Sequence, residues 1–148
     1  MAHILRIILE RNKRMSIFCC IFADDMSENG HRVMLCLASN CQQERNMEEA
    51  RKRLVGVLED PHYTSEHWTE PVATHGDALY LNQLVRGTTA LGVEALNQRL
   101  KEIEREQDRK HDGSGIVTID IDLLEYDGER YHLRDWGRDY VKDLLPEL

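Results

Sequence analysis

Apolar and polar positions change period several times along the chain, and each change marks an element. Val33, Leu35 and Leu37 alternate with Met34, Cys36 and Ala38, which predicts a buried first strand. After a polar turn, Met47, Ala50, Leu54, Val57 and Leu58 recur at helical spacing, and the stripe predicts a helix ending near Asp60 and Pro61. The aromatic and Thr-rich run from Tyr63 to Thr69 predicts a second strand. Following the Gly76-Asp77 turn, Leu79, Leu81 and Val85 alternate with Tyr80, Asn82 and Leu84 as a third. Val93, Leu96, Leu100 and Ile103 form the stripe of a second helix. Val117, Ile119, Ile121 and Leu123 make a fourth main strand, and Asp127-Gly128 is a hairpin signal leading into Arg130 and Tyr131. The predicted fold is therefore α+β, a ferredoxin-like βαββαβ sandwich with a C-terminal hairpin and a short helix.

In such a sandwich the helices cover one sheet face and leave the other for a ligand, so strand parity assigns side chains to faces. On the fourth strand the apolar set is odd-numbered, which turns Thr118, Asp120 and Asp122 to the open face. The two carboxylates lie one pleat repeat apart, roughly 6.5–7 Å along the strand. They repel one another unless a cation or an arginine sits between them, and hard oxygen donors at that spacing suit Mg²⁺ with phosphates. A solvated polar face accounts for the same pattern. The third strand turns Tyr80 and Asn82 to the same open face, an aromatic plate beside an amide with both donor and acceptor. An ordinary exposed Tyr-Asn pair is again the plainer reading. Taken together, a flat-ring binder and a metal-phosphate binder on one face suggest transfer of a phosphate group to a heterocycle.

Length and charge narrow the classes further. A chain of 148 residues can bury roughly 68–70% of its unfolded surface, enough for one core without staples. The net charge of −8 argues against nucleic acid as a partner, because backbone phosphates need a clustered positive face. Cys19, Cys20, Cys36 and Cys41 have neither zinc-site nor disulfide-framework spacing, and reduced thiols in the cytoplasm are the expectation. Residues 1–25 read as a leader, either upstream translation or a loosely attached helix, with Met26 as an alternative start and 26–148 as a single domain. Neither apolar run in that leader reaches the ~18 residues of a membrane span, and the order is wrong for a signal peptide. No membrane partner is expected, and the oligomeric state is expected to be a monomer or a weak dimer.

From Arg32 to the C-terminus the chain resembles the 6-hydroxymethyl-7,8-dihydropterin pyrophosphokinases of folate biosynthesis. Leu37-Ala38-Ser39-Asn40 and the following Asn46-Met47-Glu48-Glu49-Ala50 resemble the family's Leu-Gly-Ser-Asn opening and first helix. Thr69-Glu70-Pro71-Val72 is similar to its Thr-Glu-Pro-Val loop, and Tyr80-Leu81-Asn82 to its aromatic-Leu-Asn segment. Ile103-Glu104-Arg105-Glu106 with Arg109 resembles the end of its second helix, and Thr118 to Asp122 its Asp-x-Asp strand.

The resemblance implies a Mg²⁺-dependent transferase in which the pterin hydroxymethyl oxygen attacks the β-phosphorus of ATP and AMP leaves. It makes Asp120 and Asp122 the ligands of two Mg²⁺ ions and, with Arg109, the catalytic set. Asn82 would recognise the pterin edge, and Tyr80 and Tyr140 would flank the ring, Tyr140 standing where the family has Phe. Thr69 and Val72 would add backbone contacts to the pterin. Glu104 would meet the nucleoside side, and Arg109, Arg138 and His132 the phosphates. The His132 to Arg138 spacing fits the family, although the stretch between Asp122 and His132 is shorter than usual. A larger departure lies in the loop before the Asp-x-Asp strand. The family carries Arg-Trp-x-Pro-Arg there, and this chain has His111 to Val117 with no Trp, no Pro and Val117 in place of the second Arg. Two alternatives stay open: a catalytically weak or inactive relative that binds pterin, nucleotide or a protein partner, and an unrelated ferredoxin-like interaction module.

Overall fold

The structure is a computed structural model that describes residues 30–72 and 76–148. The expected leader and the alternative start at Met26 lie outside the described residues. Strand β1 (His31–Ser39) is central, with β4 (Tyr80–Thr89) on one side and β5 (Asp120–Tyr126) on the other. Strand β2 (Glu59–Tyr63) and the short β3 (His67–Thr69) both pair with β4, and β6 (Glu129–Arg130) pairs with β5. Every pairing is antiparallel. With helices α1 (Gln43–Leu54) and α2 (Val93–Glu106) between the strands, the order is that of the ferredoxin-like sandwich predicted from the sequence.

Parity holds across the sheet. Val33, Leu35, Leu37, Leu81, Val85, Ile119, Ile121 and Leu123 form one core with Met47, Ala50 and Leu54 of α1 and Leu96, Leu100 and Ile103 of α2. The opposite face is not wholly open. Met34, Cys36, Leu84 and Leu124 pack beneath Val141 and Leu144 of a third, six-residue helix, α3 (Asp139–Leu144), with Trp136 and Tyr140 at its edge. The C-terminal segment therefore covers part of that face and confines any site to the remainder.

Three elements differ from expectation. Helix α1 stops at Leu54, with Val57 and Leu58 buried beyond it and Asp60 and Pro61 inside β2. Apolar spacing runs on because a turn through Gly56 drops both side chains into the same core. The strand expected over Tyr63 to Thr69 is strand only at its ends, Tyr63 closing β2 and His67–Thr69 forming β3; between them the Thr64 N–H donates to the Leu84 carbonyl oxygen and the Thr64 hydroxyl accepts from the Leu84 N–H. Strand β2, which the sequence did not predict over Glu59 to His62, is an exposed edge strand that tolerates Pro61. Gly87 of β4 lets β2 approach, since a Cβ there would sit 3.0 Å from the Glu59 carbonyl oxygen. Lastly, Val117 and Ile119 are buried but precede β5. Among the described residues no helix is long and apolar enough to cross a membrane.

Candidate active site

Register brings the candidate residues into rows. Ala38 of β1 is opposite Asp120 on one side and Asn82 on the other, and Asn82 is in turn opposite His67 of β3. Two residues along, on the same face and in the direction of α3, Cys36 lies opposite Asp122. Two strand spacings of about 4.8 Å each separate the carboxylate row from the amide row, and the small Ala38 leaves the floor between them low. The result is a cavity of about 190 Å³ lined by Cys36, Ala38, Thr69, Glu70, Val72, Tyr80, Asn82, Asp120, Asp122, Asp135, Arg138 and Tyr140.

Hydrogen bonds set the amide side firmly. Asn82 is 3% exposed, and its Nδ2 donates to the His67 carbonyl oxygen at 3.1 Å and to Thr69 Oγ1 at 2.8 Å. Both amide donors are thus committed to β3, and the acceptor end is what remains for a ligand. The Tyr140 hydroxyl lies 3.6 Å from Cys36 Sγ, and its ring is 6.4 Å from that of His67. Burial pushes the Tyr80 and Tyr140 hydroxyls above the ordinary tyrosine range, with Asp120 acting the same way on Tyr80 and Cys36 on Tyr140.

The acidic side is less settled. Burial raises the Asp122 carboxyl above the ordinary aspartate value; His132 and Lys101 oppose the shift, while Asp120 and Glu104 add to it. Arg109, only 11% exposed, donates from Nε to Asp120 Oδ1 at 3.1 Å. Arg138 pairs through Nε with Asp135 Oδ1 at 2.8 Å. Beside them His132 Nε2 is 4.0 Å from Asp122 Oδ1, and ligand atoms of Asp122, His132 and Asp135 all lie within 4.8 Å of one another. Asp122 and Asp135 offer carboxylate oxygens beside the His132 imidazole nitrogen, and Asp120 lines the same cavity, a mainly oxygen donor set that fits a hard divalent cation.

The structure thus gathers Thr69, Val72, Tyr80, Asn82, Asp120, Asp122, Arg138 and Tyr140 around one cavity. Arg109 and His132 stand at its rim through their contacts with the two aspartates. Glu104 does not join them. It is 2% exposed, and its carboxylate accepts from the Ile121 N–H at 2.8 Å and from Lys101 Nζ at 3.0 Å, closing the free edge of β5. Cys36 and Asp135 also line the cavity and were not singled out from the sequence. Cys36 carries the signal of even parity on β1, whereas Asp135 carries none.

The loop from 109 to 117 completes the acidic end. Arg109 Nη1 donates to the carbonyl oxygens of Lys110 and Ile116. Asn40 holds the other end, its side chain bonded to the Gly115 carbonyl and the Val117 N–H, and its backbone N–H to the Val117 carbonyl. Val117 is 6% exposed, so its side chain belongs to the protein interior.

Fold and cavity first define a class: an antiparallel α+β sandwich with a mixed acidic and aromatic cavity on the sheet face away from its two long helices. The sequence profile of the family described as 7,8-dihydro-6-hydroxymethylpterin-pyrophosphokinase (HPPK) matches residues 34–148, and the chain belongs to that family. It is similar to two proteins of Arabidopsis thaliana. One is the mitochondrial folate synthesis bifunctional protein, 32% identical over 136 residues, which covers 84% of this chain and 24% of that protein. The other is a folate synthesis bifunctional protein, 30% identical over 129 residues, covering 78% and 26%. The chain spans about a quarter of the length of these curated relatives.

Proposed function

We propose that this chain transfers pyrophosphate from ATP to 6-hydroxymethyl-7,8-dihydropterin, with release of AMP, and that it requires two Mg²⁺ ions. The observation that carries this reading is the cavity itself, which two tyrosines line together with an amide set across a small-residue floor from two aspartates. Asp120 and Asp122 would hold the ions, whose chemistry is to neutralise and orient the triphosphate. Asn82 Oδ1 accepts a ring N–H, because the donors of that amide are already engaged. Tyr80 and Tyr140 supply the faces for a flat ring, which aligns the hydroxymethyl oxygen with the phosphate end. Arg109 and Arg138 exchange their carboxylate partners for phosphate oxygens as substrate binds.

A second reading, binding with slow turnover, rests on the loop. Val117 is held in the interior, and both guanidiniums at the acidic end are paired with carboxylates. The reading goes with a reducing compartment, the cytoplasm, as the cysteine spacing of the sequence leads one to expect. One assay tests both readings: AMP formation from ATP that needs Mg²⁺ and hydroxymethyldihydropterin together. AMP formed at high turnover supports the transferase, tight binding of both substrates with little AMP supports the second reading, and no pterin binding removes both.

A further inference from the structure

Tyr140 presents a large polar ring to the cavity, and the hydroxyl would disturb a flat-ring slot unless something turned it away. The partner is Cys36, 6% exposed on β1, whose Sγ lies 3.6 Å from the Tyr140 hydroxyl oxygen and 3.9 Å from the Leu37 carbonyl oxygen. Burial pushes the Cys36 thiol up to about 12. An S–H that donates weakly to the Leu37 carbonyl leaves sulfur lone pairs to accept from the Tyr140 O–H. The ring is then fixed at its hydroxyl end by the sheet and flanked by His67, whose ring is tilted 31° to it. The ring lines the slot, and α3 carries it with Val141 and Leu144 anchored in the core.

We propose that Cys36 is a positioning residue for the pterin: it holds the Tyr140 ring in place before the substrate arrives, so that the slot between Tyr80 and Tyr140 is preformed. The proposal rests on the pterin reading above and goes beyond it by assigning a role to a side chain that need not touch the reacting atoms. A preformed wall improves affinity by removing the cost of ordering a rotamer on binding. Without the thiol, the Tyr140 hydroxyl turns to water or swings the ring into the slot to find a partner, and the wall is no longer fixed.

The test is a double-mutant cycle on the full chain with Cys36→Ala, Tyr140→Phe and both together, titrated with hydroxymethyldihydropterin and separately with a nonhydrolysable ATP analogue. Measurements are made well below the lowest melting temperature of the set, so that folded protein is compared throughout. The expected result is a loss of pterin affinity of about fivefold in Cys36→Ala, the net worth of one hydrogen bond. KM for the pterin should rise with kcat little changed, and the analogue should bind as before. Tyr140→Phe should make Cys36→Ala nearly silent, and Cys36→Ser should recover part of the loss. Additive effects in the cycle, or equal pterin affinity in wild type and Cys36→Ala, overturn the positioning role and leave the pterin reading standing. A wild-type chain that binds the analogue but no pterin overturns both.

Discussion

The two walls of the cavity are built by different means. On the side that the proposed function gives to the pterin, Asn82 ties β4 to β3 through His67 and Thr69, and Cys36 and Tyr140 join β1 to α3. On the phosphate side a loop that returns on itself is closed by Arg109 and Asn40, with Gly113 and Gly115 at positive φ between them. Side chains on strands are aimed by the pleat and need no further ordering. The cations of the loop side, by contrast, must leave Asp120 and Asp135 before they can meet a phosphate. On the function proposed above, the difference teaches that a wall for a ring is prepared in the fold and the charges for a phosphate are not, so substitutions on the two sides should separate binding from turnover.

The largest effect is expected at the acidic end. Asp122→Asn should lower pyrophosphate transfer by about a thousandfold, the scale of losing a principal charge-stabilising group. In metal-free buffer the same variant should melt at or above the wild-type temperature, because a carboxyl raised by burial destabilises the fold when ionised. AMP formation and a thermal melt on one preparation check both halves. A variant that retains activity would remove the metal assignment, and one that melts much lower would make Asp122 a structural residue.

Val117→Arg comes next. Seen in the sequence alone, this substitution restores a guanidinium to the place where the family carries one. In the structure it buries a charge at a position 6% exposed, among backbone hydrogen bonds to Asn40 and Ser39. The expected outcome is a loss of about 3 kcal/mol or more of stability, measured by chemical denaturation. Ile116→Arg, at a neighbour 53% exposed, should leave stability nearly unchanged and serves as the control. A stable Val117→Arg protein with faster turnover would show that the loop can open and deliver the charge.

Arg109→Ala sharpens the comparison directly. It removes a cation from the phosphate side, opens the loop between Lys110 and Ile116, and frees Asp120. Turnover should fall by about a hundredfold, with pterin affinity changed far less because the hydrogen bonds of Asn82 and Tyr140 do not pass through the loop. Steady-state kinetics against a pterin binding titration separates the two quantities. Equal losses in both would mean that the walls are coupled.

How far the sequence carried this picture varies with the physics of each element. Faces of the long strands were legible because a period of two leaves no choice of side: Ile119, Ile121 and Leu123 inward place Asp120 and Asp122 outward. The edge strand β2 was not, since Glu59 to Tyr63 is nearly all exposed and has no alternation to read. Helix α1 was read too long because Val57 and Leu58 keep the helical spacing while lying in a turn. Motif position located Glu104 but could not say where its carboxylate points; the unpaired edge of β5 takes it. The cover over Cys36 and Leu84 was also hidden, because the six residues of α3 are too few to show a stripe.

The smallest predicted effect probes how the pterin wall is anchored at a distance. Beside β3, the Ser65 N–H and hydroxyl both donate to the Glu147 carboxylate, at 2.6 Å and 2.7 Å, and His62 Nε2 meets the Glu147 carbonyl oxygen at 2.9 Å. The C-terminal turn thus clips the break between β2 and β3, just ahead of His67 and Thr69. Those donors hold the Glu147 carboxyl below its ordinary value of 4.5. A lowered folded value means that the clip stabilises fully above the unfolded value and is lost as pH falls through the folded one. Glu147→Gln should therefore lower the melting temperature by about a degree or two at pH 7, as expected for an exposed contact. The two proteins should converge as the pH falls below the ordinary carboxyl value and on through the lowered folded one. Pterin affinity should weaken by less than about twofold, since Asn82 still bonds His67 and Thr69 directly. A stability difference that persists at low pH would place the effect in packing instead of charge, and a pterin loss larger than that of Cys36→Ala would make the tail, not the strands, the true support of that wall.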